Sequence, residues 1–246
     1  MLLFLDFDGV LHRWPHLRRR RETARLFNHV PALYGAIKDT PVNIVISSSW
    51  RLGFDWRQLL EFIGPLGPRV VATTGREDGT RYSEIAARLV NQRYEGPWLA
   101  IDDDDVGWPA QLRDRLVKVN GVTGIRESDL SRLRSQLACC PRDTHFDRQR
   151  LILNRALAAQ LPAEGPRLLG AAKQLISAWR TLPDLRCPDL DTWAAVVDDG
   201  DIESIQKILT GSGNNSFRLR LSSPFSVQLE SHERSQILRN AEADRT

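Results

Sequence analysis

The chain opens with a short apolar run, Met1 to Leu5, that stops abruptly at Asp6-Phe7-Asp8-Gly9. Such a run is too short to span a bilayer but long enough for one fully buried strand. It predicts a strand covered on both faces whose end carries two carboxylates, with Gly9 permitting the chain to turn away. The pattern recurs twice. Val42 to Ile46 runs into Ser47, Ser48 and Ser49, and Trp98 to Ile101 runs into the aspartates Asp102, Asp103, Asp104 and Asp105. Further strands are predicted at Arg69 to Ala72 and Leu116 to Val119. Helical periodicity falls between them at Trp56 to Ile63 and Tyr82 to Asn91, and again at Ser128 to Leu137.

Buried strands alternating with helices imply an α/β fold, a Rossmannoid three-layer domain built on a parallel sheet. Ligands bind such sheets at the carboxyl ends of the strands, so the polar clusters are expected on one edge. The pattern breaks around Cys139 to Thr144, which divides the chain into an expected domain over 1–140 and a mostly helical one over 145–246. In the second, helices are predicted at Arg148 to Leu161, Arg167 to Leu182, Leu190 to Val197 and Ile202 to Leu209, with Asp201 as an N-cap and Ser231 starting a last helix. Arg218 to Leu221 and Phe225 to Leu229 read as short strands.

Two carboxylates at i and i+2 facing one ligand would repel each other until one took up a proton. A divalent cation removes that conflict and also neutralises a phosphate. The segment Asp6-Phe7-Asp8-Gly9-Val10 resembles the first motif of the haloacid dehalogenase superfamily of phosphohydrolases. That resemblance implies that Asp6 attacks phosphorus to form an aspartyl-phosphate, while Asp8 protonates the leaving group and then activates water. Val45-Ile46-Ser47-Ser48-Ser49-Trp50-Arg51 is similar to the second motif, which places a phosphate-binding hydroxyl at Ser48, with Ser47 open as an alternative and Arg51 beside it. The third motif requires a basic residue near a helix start. No lysine lies between Ser49 and Asp102, so Arg81 is expected there, with Arg76 in reserve. Leu99-Ala100-Ile101-Asp102-Asp103 fits the fourth motif, and the implied Mg2+ ligands are Asp6, Asp8, Asp102 and Asp103.

Over residues 1 to 138 the likeness is nearest to the phosphatase-like domains of Swiss Army knife RNA repair proteins, through Ser-Ser-Trp-Arg, Ile-Asp-Asp-Asp and Gly121-Val122-Thr123-Gly124. The second region resembles no family. Only 40 residues separate Asp8 from Ser48 and 33 separate Ser48 from Arg81, which leaves no room for a large cap domain. An open site admits large phosphorylated substrates, and Arg18, Arg19, Arg20 and Arg21 are placed to track a nucleic-acid backbone, although a solvated basic helix start explains them equally.

Hydrophobic residues at 41% and charged ones at 26% are those of an ordinary globular protein. With no basic region before it, the opening run is neither a signal peptide nor a membrane span, so a cytoplasmic location away from membranes is expected. Cys139, Cys140 and Cys187 lack CxxC spacing, and the five histidines lack the paired spacing of a zinc site. From a different class, the competing reading is a regulatory binding protein on the same scaffold, with the C-terminal region choosing the partner.

Overall fold

The computed structural model describes residues 1–13, 26–76, 79–138 and 140–243. They form two compact units, one of Met1–Phe54 with Val70–Arg142 and one of Asp55–Arg69 with Asp143–Thr246. The first is built on β1 (Leu2–Leu5), β2 (Asn43–Ile46), β3 (Val70–Thr73), β4 (Trp98–Asp102) and β5 (Leu116–Lys118). All neighbouring pairs are parallel, in the order β3-β2-β1-β4-β5.

Central position explains the composition of β1. Leu2, Leu3, Phe4 and Leu5 are wholly removed from solvent, because a strand with neighbours on both sides and helices over both faces has no polar side. Parallel pairing requires crossover connections, and the chain supplies helices α1 (Val30–Ile37), α2 (Trp56–Phe62), α3 (Arg81–Asn91) and, after β5, α4 (Glu127–Leu137).

Of these, α2 and the 3-10 turn Gly64–Arg69 cluster with the second unit. There the Arg234 guanidinium lies 5.1 Å from the centre of the Trp56 ring, a cation–π contact. At Gly64, with φ +54, a Cβ would meet Leu182 Cδ1 at 3.0 Å. The remaining elements of this unit are helical: α5 (Thr144–Arg180), α6 (Pro188–Asp199), α7 (Ile202–Thr210), α8 (Asn214–Arg220), a 3-10 turn at Ser226–Gln228 and α9 (Ser231–Ala243).

Two expectations are corrected here. Arg148 to Leu161 and Arg167 to Leu182 are not separate helices, since α5 runs unbroken through Pro162 and Pro166. Proline at position 162 cannot donate to the Ala158 carbonyl, which would be left unbonded inside the helix. The side chain of Gln206 on α7 donates to that oxygen at 2.8 Å and replaces the missing bond. Arg218 to Leu221 and Phe225 to Leu229 are not strands either. Their apolar residues Leu219, Leu221, Phe225, Val227 and Leu229 are all buried, so a pattern that resembles alternation arises from burial on several sides. Trp193 fixes the helical path, its Nε1 donating to the Leu219 carbonyl at 2.9 Å and its ring meeting Phe225 edge-on. Among the described residues no helix is long and apolar enough to cross a membrane.

The Gln206 bond predicts a cost. Gln206→Met should lower unfolding free energy by roughly 1–2 kcal/mol in urea titration, because the Ala158 carbonyl stays buried and loses its donor. An unchanged midpoint would mean that water or a neighbour already satisfies that carbonyl.

Candidate active site

The sheet places the polar clusters by register. Leu5 pairs with Ile46 on one side and Ile101 on the other, so the residues that follow emerge at one level. The ladder continues one step further: the Asp6 N–H donates to the Ile101 carbonyl at 3.2 Å, Ser47 to Leu5 at 3.0 Å and Thr74 to Ile46 at 2.9 Å. Asp6 and Asp102 therefore lie side by side on adjacent strands, both buried. Asp103 completes the group. Asp6, Asp102 and Asp103 each present a carboxylate oxygen within 4.8 Å of the others, an arrangement suited to a hard divalent cation. Gly9 and Gly121 make room for it, since a Cβ on either would collide with Asp103 Oδ2.

Arg81 supplies the opposing charge. Its Nε lies 3.1 Å from Asp102 Oδ2, Nη2 3.3 Å from Asp6 Oδ1 and Nη1 3.0 Å from Glu84 Oε2, and Nη1 also donates to the Ser47 carbonyl. It occupies the first turn of α3, which Thr80 caps by accepting from the Ser83 N–H at 3.3 Å. Burial would lower the Arg81 pKa, but Asp6, Asp102 and Glu84 outweigh it and the value is raised. Arg76 is exposed in the segment after β3.

Burial pushes the Asp6 carboxyl up to about 6, opposed by Arg81, the Phe7 backbone N–H and the Ser48 hydroxyl. Burial and the neighbouring Asp6 push Asp102 up to about 8, with Arg81 again opposing. Asp103 is raised by burial, with Lys118 lowering it. The Lys118 ammonium donates to the Asp103 carbonyl at 2.6 Å and pairs with Asp105 at 2.8 Å, which ties the acidic loop to β5.

Other sequence-predicted residues fall in distinct positions. Ser48 is buried and hydrogen-bonded to Asp6, while the buried Ser47 hydroxyl has no hydrogen-bond partner among the described residues. The Asp8 carboxylate stands apart from the metal-suited group: Oδ1 is 2.8 Å from His12 Nε2 and Oδ2 accepts from Trp50 Nε1 at 3.0 Å. Arg51, expected beside the phosphate-binding hydroxyls, is surrounded by protein acceptors. Its donors reach the Thr74, Ser47, Ser48 and Gly75 carbonyls and, at 2.5 Å, Glu84 Oε1. A guanidinium has five N–H donors and each finds a protein acceptor here, so Arg51 ties the loops after β2 and β3 together. Arg18, Arg19, Arg20 and Arg21 lie outside the described residues.

Sequence reading missed Glu84, which joins Arg51 to Arg81. Its signal was present, three residues beyond Arg81 and hence on the same helix face.

A family model for the HAD domain in Swiss Army Knife RNA repair proteins matches residues 2–130. The chain belongs to this family. HAD stands for haloacid dehalogenase, and the match covers every element of the sheet and all the carboxylates described above. The family scaffold is in general that of a phosphohydrolase. No curated protein and no solved structure matches the chain.

The raised carboxyls set a pH dependence. Asp6 and Asp102 bind protons more tightly when folded than at their ordinary value of 3.8. The folded state therefore holds more protons than the unfolded chain across the window from that value to about 8, and stability falls as pH rises through it. Thermal unfolding in chelator should show this decline, and Asp102→Asn should flatten it. A variant that kept the full slope would place its origin elsewhere.

Proposed function

We propose that this HAD domain is a magnesium-dependent phosphohydrolase that works through an aspartyl-phosphate on Asp6 and acts on nucleotide or nucleic-acid phosphate ends. The observation that carries this reading is the single guanidinium of Arg81 lying against both Asp6 and Asp102 at the carboxyl edge of the sheet. A nucleophilic carboxylate must be ionised, yet burial favours its neutral form. Arg81, the Phe7 N–H and the Ser48 hydroxyl act against burial at Asp6.

In the proposed reaction an Asp6 oxygen bonds to phosphorus as the ester P–O bond breaks, and Asp8 gives its proton to the departing oxygen. Asp8 then takes a proton from water while the water oxygen bonds to phosphorus and the Asp6–phosphorus bond breaks, which restores both carboxyls and releases inorganic phosphate. Arg81 and the Ser48 hydroxyl are the donors for phosphate oxygens, Ser48 turning its one O–H from Asp6 to the phosphate, and the Ser47 hydroxyl, without a hydrogen-bond partner among the described residues, is a further donor. Asp6, Asp102 and Asp103 are the groups that would hold magnesium, which when bound supplies positive charge against both the carboxylates and the phosphate.

The nucleic-acid part rests on two supports. The family description ties these domains to RNA repair proteins, and the tract Arg18 to Arg21 follows Asp8 by ten residues. Consecutive arginines suit a polyanion, and nothing in phosphoryl transfer requires them.

Turnover of p-nitrophenyl phosphate and of a 3′- or 5′-phosphorylated oligonucleotide, with and without magnesium, tests the proposal. Asp6→Asn should abolish both activities while the fold persists, because an amide cannot form the acyl-phosphate. Near-normal turnover in that variant would refute the covalent route. Replacing Arg18 to Arg21 with alanine should raise KM for the oligonucleotide and flatten its salt dependence, leaving the aryl ester nearly unchanged. Equal effects on both substrates would remove the tract from nucleic-acid binding.

A further inference from the structure

The family motif accounts for Asp8 but not for what surrounds it. Its side chain is 21% exposed, whereas its partner His12 is 1% exposed. His12 Nε2 lies 2.8 Å from Asp8 Oδ1, and the indole Nε1 of Trp50 donates to Oδ2 at 3.0 Å. Indole N–H is a donor only, so the direction of the second bond is fixed whatever the protonation of Asp8. With His12 on one oxygen and Trp50 on the other, the carboxyl group cannot rotate about its Cβ–Cγ bond without breaking both of these hydrogen bonds.

The partners are themselves held in place. The Phe27 ring meets His12 edge-on with centroids 4.9 Å apart, Trp50 at 5.2 Å and Phe7 at 5.4 Å, and the His12 and Trp50 rings are tilted at 5.5 Å. Phe27 makes these contacts from a backbone φ of +59, a conformation that bulky side chains rarely adopt and that persists only where surrounding structure imposes it. The backbone just before His12 is anchored, the His29 N–H donating to the Leu11 carbonyl at 3.0 Å and the Ile125 N–H to the Val10 carbonyl at 3.0 Å. Strain at Phe27 and aromatic packing thus surround a histidine that contacts the carboxylate of Asp8.

We propose that His12, together with Trp50, is a positioning residue for the reaction: the pair locks Asp8 in the one orientation from which it passes a proton to the leaving oxygen. The proposal rests on the phosphohydrolase reading above. It adds that Asp8 is aimed by its neighbours and not by the motif backbone alone. A proton donor that must first find its orientation loses rate only where proton transfer matters, so the clamp should be invisible to substrates whose leaving group departs unprotonated.

Leaving-group dependence provides the test. On the full chain with magnesium, kcat/KM covers the steps up to phosphoryl transfer to Asp6, and it is measured for p-nitrophenyl phosphate, a stable leaving anion, and for an alkyl phosphate such as glycerol phosphate. His12→Leu should lower kcat/KM for the alkyl ester by about 10–100-fold while the aryl ester stays within about threefold of wild type. His12→Gln retains an amide donor and should recover most of the loss. Trp50→Phe keeps a benzene ring but removes the pyrrole half of the indole with its N–H, so it should show the same selective loss even if His12→Leu does not fold. Equal losses on the two esters, no loss on either, or a Gln variant as impaired as the Leu variant would each overturn the positioning role. A wild-type protein that hydrolyses neither ester would overturn the phosphohydrolase reading, and the role of His12 with it.

Discussion

Two buried carboxylates on adjacent strands, Asp6 and Asp102, share one guanidinium, that of Arg81, and the arrangement of the site follows from that sharing. Without the arginine, burial and mutual repulsion would both drive the pair toward its neutral form. With it, one cation contacts each carboxylate while its remaining donor reaches Glu84 and the Ser47 carbonyl, so the loop after β2 is tied to the same charge. Arg51 extends the network from the other side. It spends every donor on the turns after β2 and β3 and on Glu84, which bridges the two arginines. Arg51 holds the backbone carbonyls of Ser47 and Ser48, and the Ser48 hydroxyl is hydrogen-bonded to Asp6.

How much of this is legible in sequence depends on whether the cause is local. The strands are legible because central parallel strands are built mainly of apolar residues, so Leu2 to Leu5, Ile44 to Ile46 and Trp98 to Ile101 stand out from their neighbours. The positions of Asp6 and Asp102 follow, since a polar residue directly after such a run must sit at the carboxyl edge. Arg81 is legible by the absence of lysine in its interval and by its place at a helix start. The commitment of Arg51 is not, because four of its acceptors are backbone carbonyls brought near by two separate loops. Nor is the clamp on Asp8, which joins His12, Phe27 and Trp50 through tertiary packing and an unusual backbone angle at Phe27.

The second unit shows the same division. Pro162 and Pro166 are strong local signals for a helix end, yet α5 runs through both, and at Pro162 Gln206, a side chain distant in sequence, supplies the donor the proline lacks. A similar exchange governs the segment after α7. Leu219 and Phe225 read as members of short strands until Trp193 is seen to bind the carbonyl of one and the ring of the other. The grouping of α2 and the turn after it with the C-terminal helices is equally hidden, because Trp56 and Gly64 lie near Arg234 and Leu182, which are remote in sequence.

The central claim is that Asp6 carries the phosphoryl group. Rapid acid quench of the wild-type protein mixed with a radiolabelled phosphate ester and magnesium, followed by peptide mapping, addresses it directly. A transient label on the N-terminal peptide containing Asp6, released by hydroxylamine as an acyl-phosphate is, is the predicted result. Steady hydrolysis with no label on that peptide at any time, or a label mapped to a serine instead, would contradict it.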